Sequence, residues 1–120
     1  MGEGVLIDTD VLIDFVRGRA ELPEAKVHYI SEITLYEFVR GTRDPERAKT
    51  LLEETFSVLW VDNDVILTAS KLWRGLRERG EPVEDRDLII AATAIARGLP
   101  LKTNNRRHFE RFVAEGLRLV

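Results

Sequence analysis

Residues Val5–Asp10 read V-L-I-D-T-D, so that three apolar residues run directly into an aspartate. Apolar residues then recur at helical spacing, at positions 11, 12, 15 and 16, as far as Gly18. This pattern predicts a short strand, buried on both faces, that leads into a helix. Asp8 is expected at the carboxyl end of that strand, the edge where open α/β sheets bind ligands. Capping of the helix is the other interpretation of Asp8, although Thr9 and Asp10 could each serve as the cap.

The composition limits the class of protein. The 120 residues suffice for one core, so residues 1–120 are predicted to form a single domain. The chain has no cysteine, which excludes disulfides, thiol nucleophiles and cysteine-ligated metals. It has no membrane-spanning apolar run and no segment like a signal peptide, so we expect a cytoplasmic protein without membrane contact. The net charge of −3 argues against nonspecific duplex binding, whereas the 14 arginines among 18 basic residues suit either phosphate contacts or surface ion pairs.

Strands and helices alternate along the rest of the chain. Further strands are predicted at residues 27–30, 56–61, 99–103 and 117–120. Helices are predicted to begin at Ser31, Asp44, Asn63, Asp85 or Asp87, and Asn104. Such alternation indicates a parallel sheet with right-handed crossovers and helices on both faces. The predicted fold class is therefore α/β, with a small sheet of four or five strands.

Two further acids stand where a plain surface charge is unexpected. Glu37 lies inside the apolar run L-Y-E-F-V, where a carboxylate needs a cation, hydrogen-bond donors or a metal. Asp87 stands in the first turn of a helix that is apolar around most of its circumference. Structural roles stay open for both residues. Glu37 could pair with Arg40 or Arg43, and Asp87 could stabilise the helix start electrostatically, although Asp85 could supply the cap and leave Asp87 free.

A polar turn, T-N-N-R-R-H-F at 103–109, follows the fourth predicted strand. Thr103, Asn104 and Asn105 supply neutral oxygens, and His108 is the one imidazole close to the predicted site. Acids that meet at one sheet edge repel one another and require a compensating cation. Oxygen ligands without cysteine favour Mg²⁺ or Mn²⁺ over zinc. One or two such ions can activate water and stabilise the charge that develops on a phosphate.

Four segments, in this order, resemble those of PIN-domain nucleases, and in particular the VapC-type toxins of type II toxin–antitoxin pairs. They are L-I-D-T-D-V-L-I-D-F at 6–15, S-E-I-T-L-Y-E-F-V-R-G at 31–41, D-L-I-I-A-A-T-A at 87–94 and L-K-T-N-N-R-R-H-F at 101–109. The resemblance covers nearly the whole chain, and it implies a PIN-like fold.

The resemblance implies roles for particular residues. Asp8, Glu37 and Asp87 correspond to the family's catalytic, metal-binding acids. Candidates to support these ligands or to hold a second ion are Thr9, Asp85, Thr103, Asn105 and His108. Where His108 or Asn105 stands, relatives usually carry an acid, so the chain departs from the family pattern at the second metal position. The implied activity is Mg²⁺- or Mn²⁺-dependent endonucleolytic cleavage of RNA by a homodimer that a VapB-like antitoxin inhibits.

Arginines and apolar helix faces, both expected at the surface, predict the substrate and the partners. Arginines around a shallow acidic site would suit the phosphates of single-stranded RNA, and the candidates are Arg40, Arg43, Arg86, Arg106 and Arg107. Apolar helix faces around residues 35–39 and 72–76 are assigned in part to the homodimer and in part to the antitoxin. Three other functions stay open: an RNA-processing PIN nuclease without an antitoxin, a degenerate PIN domain that binds RNA without cleaving it, and a phosphate-binding domain similar to response regulators.

Overall fold

A four-stranded sheet with the strand order β3-β2-β1-β4 forms the centre of the molecule. The computed structural model describes residues 2–120, and all three pairs of neighbouring strands are parallel. The strands are β1 (Gly2–Ile7), β2 (Ala25–Ser31), β3 (Ser57–Leu59) and β4 (Leu101–Lys102). The predicted α/β class with a small parallel sheet is confirmed.

Helices connect the strands and follow β4. They are α1 (Thr9–Val16), α2 (Glu32–Arg40), α3 (Pro45–Thr55), α4 (Asn63–Glu78), α5 (Asp85–Arg97) and α6 (Arg106–Phe109), followed by a 3₁₀ helix (Glu110–Glu115). Within residues 2–120, no helix combines the length and apolar character needed to cross a bilayer.

The alternation of side chains along β1 divides the core into two layers. Leu6 packs into the layer formed with α4, α5 and the rings of Phe109 and Phe112. Val5 and Ile7 pack into the opposite layer with α1, α2 and α3. Because successive residues of a strand point to opposite faces, a central strand that is apolar throughout requires helices on both sides.

The strand order reverses beside β1. The chain leaves β1 towards β2 and β3 on one side, then crosses through α4 and α5 to β4 on the other side. Asp8 follows β1 directly and Thr103 follows β4 directly, and the backbone N–H of Asp8 donates to the carbonyl of Lys102 at 2.9 Å. In open α/β sheets, the carboxyl ends of strands at such a reversal form a crevice that binds ligands.

Two predicted helix caps are wrong. Asp62, not Asn63, is the N-cap of α4, because its backbone is extended and its carboxylate accepts from the N–H of Val65 at 3.1 Å. Helix α5 begins at Asp85, with Glu84 in the N-cap position and no side chain that caps it. Asp85 therefore lies inside the helix and does not provide the cap assigned to it.

The last part of the chain is less regular than predicted. The strand predicted at 117–120 is a single bridge between Leu101 and Leu119, and β4 is itself only two residues long. The helix predicted from Asn104 begins at Arg106 and passes into the 3₁₀ helix after Phe109. Asn104 and Asn105 stay in the turn between β4 and this helix.

The apolar faces assigned to partners divide between core and surface. Leu35, Leu72 and Leu76 are buried, so only part of each face is available to a partner. Tyr36 and Trp73 are 61% and 45% exposed. Helices α2 and α4 therefore each cover the sheet with one apolar face and leave a neighbouring aromatic residue at the surface.

Candidate active site

Three elements bring carboxylates to the crevice where the strand order reverses. Asp8 is the N-cap of α1, Glu37 lies in the last turn of α2, and Asp87 lies in the first turn of α5. Asp8 is fully buried, Asp87 is 8% exposed and Glu37 is partly buried. Buried carboxylates are unfavourable unless hydrogen bonds or cations compensate them. The partners of these three residues therefore define the site.

Asp8 caps α1 and also faces the other two acids. Its Oδ1 accepts from the backbone N–H of Thr9 at 2.8 Å, and its Oδ2 accepts from the hydroxyl of Thr103 at 2.8 Å. The backbone of Asp8 is extended, with φ −73° and ψ 159°, as is usual for an N-cap residue. Thr9 and Asp10, which the sequence offered as alternative caps, lie within the helix. The two interpretations of Asp8 are therefore compatible.

One guanidinium joins all three acids. Arg86 donates from Nε to Glu37 Oε2 at 2.7 Å, from Nη1 to Asp87 Oδ1 at 2.7 Å, and from Nη2 to Asp8 Oδ1 at 2.9 Å. Burial tends to lower the pKa of Arg86, but the hydrogen bond to Glu37 and the charge of Asp8 outweigh burial and raise it. Arg86, predicted to bind RNA, thus lies inside the acidic cluster with 29% of its side chain exposed.

A chain of hydroxyl groups reaches the other oxygen of Glu37. Thr9 Oγ1 donates to Glu37 Oε1 at 2.6 Å and lies 3.0 Å from Thr34 Oγ1, which lies 3.4 Å from the hydroxyl of Ser31. Because each hydroxyl has one proton and a carboxylate only accepts, the protons point along this chain towards Glu37. Burial tends to raise the pKa of Glu37, but the hydrogen bonds from Arg86 and Thr9 outweigh burial and lower it.

Thr34 was not predicted as a supporting residue. Thr34 is fully buried, and it stands three residues before Glu37 on the same face of α2. This i, i+3 spacing was the available signal, because residues three apart are neighbours on a helix surface. Ser31 was identified only as the cap of α2, a role that its 3.1 Å contact with the Thr34 N–H supports.

A second acidic group lies beside the first. Asp10 accepts from the backbone N–H of Asn104 at 3.2 Å, and the side-chain amide of Asn104 donates to Asp14 at 3.0 Å. Burial and the charge of Asp8 raise the pKa of Asp10 above its ordinary value, although hydrogen bonds from backbone N–H groups oppose the shift. Asp10 and Asp14 were not predicted as site residues, and their spacing of four residues on α1 was the signal available.

The other predicted supporting residues lie at different distances from the acids. His108 Nδ1 lies 3.8 Å from Asp87 Oδ2 with a side chain that is 60% exposed. Asn105 is exposed, and its backbone N–H donates to the hydroxyl of Thr103 at 3.0 Å. Asp85 is exposed and lines a cleft between α4 and α5. The structure thus brings His108 to the edge of the acidic cluster and directs Asp85 elsewhere.

The remaining predicted arginines are at the surface. Arg40 stacks over the ring of Tyr36, with 5.1 Å between its Cζ and the ring centroid. Arg106 donates to the carbonyl of Val120 at 3.1 Å. Arg43 and Arg107 are also exposed.

Comparison with known proteins identifies the fold family. The family model for the PIN domain matches residues 5–114. The chain belongs to the PIN-domain family. Ribonuclease VapC1 of Methanocaldococcus jannaschii is 40% identical over 117 residues, which cover 96% of this chain and 85% of that protein. The predicted resemblance to VapC-type PIN domains is confirmed.

Two further comparisons with this PIN domain are informative. The tRNA(fMet)-specific endonuclease VapC of Salmonella typhimurium is 31% identical, with 88% of this chain and 89% of that protein covered. The crystal structure of DNA-bound VapBC from Salmonella typhimurium superposes with a TM-score of 0.79 at 30% identity. That match covers 100% of this chain and 98% of the other.

The three acids of this PIN domain offer oxygen ligands that suit a divalent ion. Their side chains are spaced, however, to contact a guanidinium. Carboxylate oxygens are the ligands that Mg²⁺ and Mn²⁺ prefer. As they stand, however, no three Asp, Glu or His side chains within residues 2–120 are arranged to hold a metal ion. The cation that the acids surround is Arg86. A metal ion would fit this donor set only after the guanidinium has moved away.

Proposed function

We propose that this PIN domain, formed by residues 1–120, is a divalent-metal-dependent endoribonuclease and the toxin of a VapBC-type pair. The observation that carries the proposal is the convergence of Asp8, Glu37 and Asp87 at the strand-order reversal of a PIN domain. The names of its relatives, a ribonuclease and a tRNA-specific endonuclease, support RNA as the substrate. Relatives solved as VapBC complexes support an antitoxin partner. The cytoplasm is the proposed location.

The three acids would hold Mg²⁺ or Mn²⁺ through their carboxylate oxygens. Bound there, such an ion would supply Lewis-acid stabilisation of the charge on a phosphodiester and would activate the attacking water. The residues around the acids hold them in position. Thr103 fixes one oxygen of Asp8, and Thr9 fixes one oxygen of Glu37. These hydrogen bonds go to the ionised forms, so they favour carboxylates that are ready to bind a cation.

Single-stranded RNA suits the surface around the acids. The exposed arginines Arg40, Arg43, Arg106 and Arg107 can neutralise phosphates along a flexible strand. The net negative charge of the chain disfavours a rigid duplex, which would place many phosphates near the acidic site. Cleavage is therefore expected to be selective for single strands and to fall steeply with added salt.

Two exposed apolar surfaces are available for protein partners. A cleft of about 480 Å³ lies between α4 and α5, with Ile66 and Trp73 in its lining. A smaller groove of about 260 Å³ lies beside α2, with Tyr36 and Trp60 in its lining. A concave apolar cleft suits an antitoxin helix or extended peptide. We therefore assign the larger cleft to the antitoxin and the smaller groove to the contact between two copies of the chain.

Cleavage of a labelled single-stranded RNA by the purified chain tests the activity. The wild type should cleave in Mn²⁺ or Mg²⁺ and should stop when EDTA removes the metal. Asp8→Asn should lose cleavage, whereas Glu54→Gln, a matched change on the exposed surface of α3, should retain it. Full activity of Asp8→Asn, or undiminished cleavage in EDTA, would contradict the proposal.

The position of Arg86 favours one second candidate, a PIN domain that binds RNA without cleaving it. Its three ion pairs already compensate the acids that would otherwise require a metal. RNA binding without products in either metal, measured by fluorescence anisotropy and gel electrophoresis, would favour this alternative.

A further inference from the structure

Arg86 lies among the three acids that the proposed metal ion would share. Each of its three guanidinium nitrogens faces a different carboxylate, at 2.7, 2.7 and 2.9 Å. A guanidinium more often pairs with one carboxylate through two parallel hydrogen bonds. Here the planar group is instead surrounded by acids from α1, α2 and α5. The acids therefore surround a cation that belongs to the chain itself.

The negative charges of the three neighbouring carboxylates require a compensating cation. Within the described part of the chain, Arg86 is the only Arg or Lys that forms an ion pair with any of the three acids. His108 can add a second positive charge near Asp87 only when it is protonated. Three carboxylates around one guanidinium leave a net charge of −2 among these four groups. This excess of negative charge favours replacement of the singly charged guanidinium by a doubly charged metal ion.

The side chain of Arg86 is placed so that it can leave. It belongs to the first turn of α5, a helix start that no side chain caps, and 29% of the side chain is exposed. A long, partly exposed side chain can reorient about its χ angles without moving the core. The neighbouring side chains of Asp8 and Thr34 are by contrast fully buried and have no exposed surface towards which they could turn.

We propose that Arg86 is an exchangeable counter-ion of the acidic site. Without a divalent ion its guanidinium holds Asp8, Glu37 and Asp87 together, and binding of Mg²⁺ or Mn²⁺ displaces it towards the mouth of the site. There the guanidinium contacts a phosphate of the bound RNA. This last step rests on the proposed ribonuclease function, whereas the exchange of cations requires no RNA.

Metal titration of the purified chain tests the exchange directly. Mn²⁺ affinity is measured by calorimetry for the wild type, Arg86→Lys, Arg86→Gln and the control Arg47→Gln on the exposed surface of α3. Arg86→Gln should bind Mn²⁺ at least about tenfold more tightly than the wild type, Arg86→Lys should lie between them, and Arg47→Gln should match the wild type. Arg86→Lys retains a cation, so it keeps the comparison informative if Arg86→Gln fails to fold.

An NMR measurement distinguishes displacement of the Arg86 guanidinium from simple repulsion between its charge and the metal ion. The Nε–H of Arg86, hydrogen-bonded to Glu37 at 2.7 Å, should give a slowly exchanging ¹⁵N NMR signal in EDTA that is absent from Arg86→Gln. Saturating Mg²⁺ should abolish or strongly shift that signal. A signal unchanged in Mg²⁺, or equal Mn²⁺ affinities in the wild type and Arg86→Gln, would overturn the exchange.

RNA cleavage then tests the second half of the proposal. At saturating Mn²⁺, Arg86→Gln should cleave single-stranded RNA more slowly than the wild type by about tenfold or more, despite its tighter metal binding. Undiminished cleavage would refute the phosphate contact. Tighter Mn²⁺ binding by Arg86→Gln together with no cleavage by any variant would support the exchange and overturn the ribonuclease function instead. The two failures are therefore distinguishable.

Discussion

Replacement of Asp8 can separate its structural contacts from its charge. In Asp8→Asn, the side-chain carbonyl can still accept from the Thr9 N–H and from Arg86. The new amide group then faces Thr103, whose hydroxyl can turn to accept instead of donate. In Asp8→Ala all three hydrogen bonds are lost. Comparison of the two variants therefore isolates the contribution of the hydrogen bonds.

The structure sets the size of the difference in the free energy of unfolding. Loss of an N-cap costs about 1 kcal/mol, and a buried hydroxyl left without its acceptor costs about 1–3 kcal/mol. Thr103 is such a hydroxyl, because it is only 2% exposed. Removal of the Asp8 charge relieves repulsion equally in both variants, so that effect cancels. Asp8→Ala should therefore be less stable than Asp8→Asn by roughly 2–4 kcal/mol, or about 8–16 °C in Tm for a chain of this size.

Circular dichroism melts in EDTA at pH 7, with urea titrations, measure this difference. Cleavage assays in Mn²⁺ on the same preparations should show no activity in either variant. Asp8→Asn should melt within about 4 °C of the wild type, since it loses only the charge assistance of its hydrogen bonds. Glu54→Gln provides the matched control and should change neither measurement.

Two results would refute this reasoning. Equal stability of Asp8→Ala and Asp8→Asn would show that the contacts with Thr9 and Thr103 do not stabilise the fold. A large loss of stability in Asp8→Asn would show that the carboxylate charge, through Arg86, is the main stabilising contribution.

Glu37, His108 and the groove beside α2 each allow a further test. Because the pKa of Glu37 is lowered, its contribution to stability is complete above the ordinary value of 4.5 and is lost as the pH falls through the lowered value. The difference in the free energy of unfolding between the wild type and Glu37→Gln, from urea titrations in EDTA, should thus shrink from pH 7 to pH 3; a constant difference would contradict the shift. His108→Ala should slow cleavage no more than about tenfold, or about 1.4 kcal/mol of barrier, and His108→Asp should retain or raise Mg²⁺-dependent cleavage. Complete loss in a folded His108→Ala would instead place the imidazole at the reacting groups. Trp60→Glu should convert a dimer into a monomer by light scattering at micromolar concentration, and a monomeric wild type would reject the homodimer.

Features that depend on neighbouring residues were predictable from the sequence. The cap of α2 at Ser31 and that of α3 at Asp44 follow from polar side chains that stand directly before helical patterns. The positions of Asp8 and Asp87 at helix starts follow from the same patterns. Strand–helix alternation then predicts that these residues share one edge of a parallel sheet.

The role of Arg86 could not be predicted in this way. Its hydrogen-bond partners Glu37 and Asp8 are 49 and 78 residues away in sequence, and an arginine beside an acid is compatible with many roles. Asp62 and Asn63 could each cap α4. Which of two such neighbours is the cap depends on backbone geometry that composition does not determine. In both cases the deciding information lies in distances that only the folded chain defines.

The position of β1 between β2 and β4 also bears on how the chain is made. During synthesis Asp8 and Glu37 leave the ribosome early, but Asp8 meets Thr103 only after another 95 residues. At roughly 5–20 residues per second, that interval lasts about 5–20 s. Until β4 is made one edge of β1 is unpaired, and until α5 is made Asp8 and Glu37 lack both Arg86 and Asp87. The strand order thus delays assembly of the acidic site until most of the chain has been synthesised.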